Sequence, residues 1–354
     1  LPTFFQIQYP ATADYGKIPR MNAQINNPNS KYETIDPRLD QAIAWLNKIN
    51  IVTEGDVTSV AGDASFRRYF RLTSNGRTLI LMDAPPPAEN VRPFIDVAVR
   101  LKGARLHVPD ILQADERNGF LLLEDLGDEM YRDLIERGTE QTWFPGLFDV
   151  LSTMAINANC DGLPVYDADK LRFELDLLPK WYLKHHRPDM PTDRFHQIWE
   201  DFCAQILASA FEQPQCFVHR DFHSSNLLNA PDGSTGIIDF QDAVFGPVSY
   251  DFISLIWDRY ITWPRADIER WMEQMRLKLQ LVIPPQQWQR YCDLMGLQRN
   301  IKIVGIFARL YYRDGKQGYI EMIPRFYDYL LSTLKLYPEF SEMLAVLEHE
   351  KCVP

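Results

Sequence analysis

The chain has 354 residues, 46% hydrophobic and 24% charged, which is ordinary globular material and enough for two domains. Its formal net charge of −11 offers no basic footprint for a nucleic-acid backbone, so a bound polyphosphate has to be neutralised locally, by a metal. No run of about 18 apolar residues is present to span a membrane, and Leu1 to Pro10 lacks the basic and apolar regions of a signal peptide, so a cytoplasmic protein without membrane insertion is expected.

Residues 1–35 read as a leader, flexible or foreign to the fold, in which Met21 opens a polar stretch and residues 1–20 could be upstream sequence. Asp36-Pro37 then starts a helix with Leu39, Ile43 and Leu46 at helical spacing. The pattern turns to β from Val57 to Asp83, with strands at Val57 to Ala61, Phe66 to Leu72 and Thr78 to Met82 around a Ser74-Asn75-Gly76 turn. Pro85-Pro86-Pro87 breaks the sheet, a helix with Phe94, Val97 and Leu101 follows, and Pro109 to Ala114 and Gly119 to Glu124 read as two more strands. Helices are expected over 129–137, 141–157, 168–186 and 192–211, and again from about 249 onward, with one β island from Cys216 to Phe240. The expectation is an α+β chain with an N-terminal lobe over 36–127, a helical C-terminal lobe over 128–354 and a cleft between them. Cys160, Cys203, Cys216, Cys292 and Cys352 show no CxxC pair, which suits reduced thiols.

The chemistry concentrates in the β island. His219-Arg220-Asp221-Phe222-His223-Ser224-Ser225-Asn226 has the H-R-D-x-x-x-x-N pattern of the protein-kinase catalytic loop, and a second acid, Asp239, follows the apolar pair Ile237-Ile238. Asn226 to Ala230 and Thr235 to Asp239 flank the turn sequence Pro231-Asp232-Gly233-Ser234. With that turn centred on Asp232-Gly233, Asn226 lies opposite Asp239, and cross-strand partners have Cβ atoms about 4.5 to 5.5 Å apart, close enough to share a hard cation. Magnesium fits, since it takes oxygen ligands and bridges phosphates to one or two protein groups. Asp221 then faces the acceptor hydroxyl, while His219 is expected to brace the loop. The competing reading leaves all of these as turn and strand-end residues with structural hydrogen bonds.

From about Asp36 to Glu348 the chain resembles the aminoglycoside phosphotransferase-like family of small-molecule kinases, which implies a bilobal protein-kinase-like fold with ATP as co-substrate. Within it, Gly62 to Arg71, Met82-Asp83-Ala84-Pro85-Pro86, Asp239 to Pro247 and Tyr311 to Lys316 look like the anomeric amino-sugar kinases of peptidoglycan recycling. Those enzymes phosphorylate the anomeric hydroxyl of N-acetylmuramic acid and N-acetylglucosamine. The resemblance implies that Gly62, Asp63, Ala64, Ser65 and Phe66 fold over the triphosphate with Arg68 nearby, and that Glu124-Asp125-Leu126-Gly127 is the hinge that holds adenine. The family's third-strand lysine is missing, because Met82 stands in its place, and Arg67, Arg68 and Arg71 are the nearest cations. By strand alternation Arg67 and Arg71 share one face and Arg68 takes the other. Glu174, Trp181, Gln241 and Asp242 are candidates for the acceptor sugar, Trp181 reading also as a core residue and Asp251 as a capping, bracing or ligand carboxylate. An aminoglycoside or choline-like acceptor, or a nucleotide-binding module without turnover, are the alternatives; no obligatory protein partner is evident.

Overall fold

The computed structural model describes residues 36–60, 66–137, 140–188, 192–258 and 263–348. The leader, the expected phosphate-loop residues Gly62, Asp63, Ala64 and Ser65, and Cys352 lie outside the described residues. Contacts divide the chain into two units, one running to Arg92 and resuming over Asp110–Asp125, the other made of Pro93–Pro109 and everything from Leu126 onward. The stretch 93–109, expected within the first lobe, therefore groups with the second.

In the first unit, helix α1 (Pro37–Lys48) starts where Asp36 accepts the backbone N–H groups of Arg38 and Leu39, each at 3.1 Å. A proline in the first turn suits that start, because its missing N–H has no helical partner to lose. Strands β1 (Glu54–Val60), β2 (Arg68–Ser74), β3 (Arg77–Asp83), β4 (Ile111–Asp115) and β5 (Phe120–Glu124) form an antiparallel sheet in the order β1-β2-β3-β5-β4. A two-residue turn, Asn75-Gly76, closes β2 onto β3, with both residues in the left-handed region that such turns require. Alternate residues Phe70, Leu72, Leu81, Phe120 and Leu122 form one buried face, against which Ala42 and Leu46 of α1 pack. Met82 pairs with Tyr69 and Leu121 and is fully buried.

The second unit is mainly helical: α2 (Arg92–Gly103), α3 (Tyr131–Glu136), α4 (Glu140–Asn157), α5 (Ala168–Leu175), the short α6 (Lys184–His186), α7 (Asp193–Glu212), α8 (Tyr250–Ile256), α9 (Arg265–Lys278), α10 (Pro285–Tyr312), α11 (Ile323–Leu334) and α12 (Ser341–Glu348). Two small antiparallel pairs interrupt the helices, β6 (Gln215–Val218) with β9 (Val244–Pro247), and β7 (Leu227–Asn229) with β8 (Thr235–Ile237). The helix expected over 168–186 is broken into α5, a π turn over Leu178–Leu183, and α6. Pro179 has no N–H to return to the preceding turn, so the backbone takes the wider spacing there. No helix among the described residues is long and apolar enough to cross a membrane.

Helix α10 organises this unit, since every residue from Tyr291 to Ala308 is buried and neighbours cover it on all sides. Gly305 lets the backbone of the π turn come close: a Cβ there would lie 2.5 Å from the carbonyl carbon and the Cβ of Leu177. Gly305→Ala is therefore expected to destabilise the fold by about 1–3 kcal/mol, read as a lower urea midpoint, because backbone atoms cannot step aside as a side-chain tip can.

Candidate active site

The site grows from the loop between β6 and β7. Arg220 is held at φ +75°, a left-handed conformation that an arginine adopts only under constraint. The constraint is Asp251 on α8, whose two carboxylate oxygens accept the backbone N–H of His219 at 2.6 Å and of Arg220 at 2.9 Å. His219 braces the other side. Its Nδ1 accepts the N–H of Asp221 at 3.2 Å, so its Nε2 carries the proton and donates to the carbonyl of Ile238 at 3.1 Å. Burial pushes this imidazole down to about 4, with Asp239 pulling back, so the ring is neutral at physiological pH.

Asn226 and Asp239 meet, though not by the expected register. The hairpin pairs Leu227 with Ile237 and Asn229 with Thr235, and Ile238 donates its N–H to the carbonyl of Asn226 at 3.1 Å, so Asn226 lies opposite Ile238. The loop is Pro231-Asp232-Gly233, closed by the Ala230–Ser234 hydrogen bond with Gly233 at φ +81°, one residue longer than a two-residue turn. A one-residue slip would send the Asp239 side chain to the other face. The φ of +64° at Asp239 turns it back, and Asn226 Nδ2 reaches Asp239 Oδ2 at 3.3 Å and the Asp221 carbonyl at 3.0 Å. Gln241 Nε2 donates to Asp239 Oδ1 at 3.0 Å.

These contacts leave the oxygens Asn226 Oδ1 and Gln241 Oε1 buried without a hydrogen-bond partner. One carboxylate beside an unused amide oxygen is the donor set of a hard divalent cation that keeps most of its coordination for water and phosphate. Among the described residues no three His, Cys, Asp or Glu side chains gather as a closed metal site would need. The Asp221 carboxyl is half-buried, and burial pushes it up to about 7; Lys302 opposes the rise, Asp239 adds to it, and Arg220 and Arg299 oppose it.

Glu174, expected to meet the acceptor sugar, lies in a buried ion cluster. It is 5% exposed, with Oε1 paired to Arg220 at 3.0 Å and to Lys302 at 2.9 Å, while Oε2 takes Gln298 at 3.0 Å and the Tyr166 hydroxyl. Burial works against its charge, yet Lys302 and Arg220 hold its carboxyl below the ordinary value. An acceptor hydroxyl could reach Glu174 only by displacing one of these partners. Trp181 is half-buried in the π turn and Asp242 half-buried beside Gln241; neither makes a side-chain hydrogen bond to a described residue. Sequence reasoning missed Arg299, Lys302 and Asp258, which accepts the Ser224 N–H at 3.0 Å. The signal available for the first two was the polar run Gln298-Arg299-Asn300 and Lys302 inside an otherwise apolar helix.

In the first unit the three candidate cations have counter-ions. Arg68 lies on the α1 face of the sheet, donating to Asp36 Oδ2 at 2.5 Å and Asp83 Oδ2 at 2.6 Å. Arg71 grips Asp125 with two bonds of 2.7 and 2.9 Å, and Arg67 stands 3.8 Å from Glu89. Glu124 accepts the N–H of Asp110 at 3.1 Å, Leu126 is 3% exposed, and Phe66 is 70% exposed.

A braced His-Arg-Asp loop facing an Asn–Asp pair, on a chain with an antiparallel β unit and a helical unit, defines a phosphotransferase of the kinase-like class. The chain belongs to the phosphotransferase enzyme family, whose profile matches residues 56–280. It is similar to the N-acetylmuramate/N-acetylglucosamine kinase of Pseudomonas aeruginosa, 39% identical over 323 residues that cover 87% of this chain and 95% of that protein. The protein of the same name from Pseudomonas putida is 38% identical over the same coverage. Among solved structures, an ADP-bound aminoglycoside phosphotransferase of type APH(2'')-Ib superposes with a TM-score of 0.57 at 16% identity, covering 88% of this chain and 99% of that one. The α+β kinase-like fold expected from the sequence is thus the fold of this chain.

The Asp251 brace has a pH signature. Burial pushes its carboxyl from an ordinary 3.8 up to about 7, against the pull of its two N–H donors. A carboxyl harder to ionise when folded binds its proton preferentially in the folded chain, so its contribution to stability is full below 3.8 and is lost as pH climbs to about 7. Wild type should therefore lose stability relative to Asp251→Asn across that window, by at most about 1.4 kcal/mol per pH unit. Urea unfolding of both proteins at several pH values measures it, and a constant difference would refute it.

Proposed function

We propose that this protein is an ATP-dependent, magnesium-requiring kinase that phosphorylates the anomeric hydroxyl of an N-acetylated amino sugar, N-acetylmuramate or N-acetylglucosamine. The observation that carries the catalytic part is Asn226, whose amide ties the Asp221 carbonyl to the Asp239 carboxylate while its own oxygen stays unused. The acceptor is supported by the names of relatives that this chain matches along nearly their whole length.

In this reading Asn226 and Asp239 hold magnesium, which when bound disperses the charge of the phosphate oxygens. Asp221 accepts the proton of the anomeric hydroxyl as its oxygen bonds to the γ-phosphorus; the bond to the bridging oxygen breaks and ADP leaves with that electron pair. An anomeric hydroxyl is more acidic than an ordinary sugar alcohol, so modest base assistance suffices. His219 and Asp251 supply orientation, one holding the Asp221 amide and the other the two preceding ones. Backbone groups of Glu124, Asp125 and Leu126 take adenine, and residues 62–66 cover the triphosphate, with Arg71 neutralised by Asp125 and Arg68 by Asp36 and Asp83. Gln241, Asp242 and Trp181 approach the sugar, and Glu174 acts behind them by fixing Arg220. The reduced cysteines suit a cytoplasmic setting: Cys160, Cys203, Cys216 and Cys292 are unbridged, and burial raises each thiol above its ordinary value.

Asp221→Asn should keep ATP binding and lower kcat by roughly 100-fold or more, whereas Asp239→Asn should lose transfer most severely at limiting magnesium. Undiminished turnover in either variant would remove that residue from its role. For the acceptor, a panel of N-acetyl sugars, aminoglycosides and choline is assayed for transfer, and the product is placed by phosphorus-coupled NMR against a 1-deoxy analogue. Phosphorus coupling at the anomeric centre and no reaction of the analogue are expected; coupling at C6 would defeat the anomeric assignment.

A further inference from the structure

Three cations from two elements, Lys302, Arg220 and Arg299, pull against the upward shift of the Asp221 carboxyl. Arg220 and Lys302 are each paired with Glu174, at 3.0 and 2.9 Å, and Lys302 also donates to the Tyr250 hydroxyl at 2.8 Å. Arg299, almost one turn before Lys302 on α10, differs. It is 6% exposed, makes no hydrogen bond or ion pair with any described residue, and its Nε is buried without a partner. Its neighbours on α10, Gln298 and Lys302, both reach Glu174, which is paired with Arg220 of the catalytic loop, so this part of the helix lies against that loop, and the charge of Arg299 opposes the upward shift of Asp221 and of Asp251. Neither carboxylate accepts a hydrogen bond from it; the Asp251 oxygens take the N–H groups of His219 and Arg220.

A guanidinium carries five N–H donors in a planar fork, and leaving them unfilled inside a protein is costly. The chemical group that fills such a fork is a planar oxyanion bound through two parallel hydrogen bonds, above all a carboxylate. The two sugars in the names of the relatives differ in that respect. N-acetylmuramate bears a carboxylate on an ether side chain, and N-acetylglucosamine has only a hydroxyl at that carbon. We infer that Arg299 is the receptor for the carboxylate of the acceptor sugar and sets the preference for N-acetylmuramate over N-acetylglucosamine. The inference rests on the acceptor reading above and adds to it a residue that distinguishes the two sugars.

Removing a charge-assisted pair of this kind weakens binding roughly 10- to 100-fold, so in Arg299→Met the ratio of kcat/KM for N-acetylmuramate to that for N-acetylglucosamine should fall by that factor. The loss should lie in KM for the acidic sugar, and Arg299→Lys, which keeps the charge but not the fork, should recover part of the ratio. The Lys variant carries the test alone if thermal melting shows that the Met variant does not fold, its ratio then lying between wild type and unity. Calorimetry of N-acetylmuramate binding gives a second readout independent of turnover. An unchanged ratio, or an equal loss with both sugars as a contact to the transferring phosphate would give, overturns the inference. Wild-type protein that phosphorylates neither sugar overturns instead the acceptor reading, and this inference with it.

Discussion

Everything at the candidate site depends on one carboxylate receiving two consecutive backbone N–H groups. Asp251 accepts from both His219 and Arg220, and that pair of bonds offsets the left-handed φ of Arg220. Because Arg220 turns there, Asp221 leaves the strand direction of β6 and its carbonyl comes within reach of Asn226. From that carbonyl the chain of contacts runs to Asp239 and on to Gln241. His219 closes the same structure from the other end through Ile238. The loop is thus positioned by short polar contacts to backbone atoms, which fix geometry more narrowly than side-chain packing alone.

Beneath the loop lies a buried charge cluster that would be unfavourable piece by piece. Glu174, Lys302 and Arg220 are all nearly inaccessible to water, and each alone would cost several kcal/mol to bury. Together they pair with one another, and Gln298, Tyr166 and Tyr250 add further hydrogen bonds. Such a cluster specifies one arrangement more than it adds stability, because removing any member strands an opposite charge. Its two cations outnumber its one carboxylate, and both oppose the upward shift of the Asp221 carboxyl.

The sequence made the elements legible where periodicity and local turn chemistry agree. The Asp36-Pro37 start, the Asn75-Gly76 hairpin and the alternation of β2 all follow from rules spanning a few residues, and those rules act alike in a peptide and in a fold. The pairing of Asn226 with Asp239 was legible for a partly mistaken reason. Hairpin register depends on loop length, which Gly233 extended by one residue, and the positive φ of Asp239 compensated in a way that no side-chain pattern announces. Glu174 was read as a candidate for the acceptor sugar because its own helix says nothing of a cation arriving from α10, more than a hundred residues later. The π turn was likewise hidden, since Pro179 signals a break but not which wider spacing relieves it.

The way the two units share the chain has a topological consequence. The backbone passes between them three times, at Arg92–Pro93, Pro109–Asp110 and Asp125–Leu126. A single cut at any one crossing splits the chain into two fragments neither of which is one whole unit and nothing else, so no one cut there separates the two units cleanly. A gene fragment ending at Asp125 would encode α2 with its apolar stripe of Phe94, Val97, Ala98 and Leu101 but without Phe240, on which Phe94 packs at 4.7 Å. Such a fragment would present that stripe to water, which favours self-association.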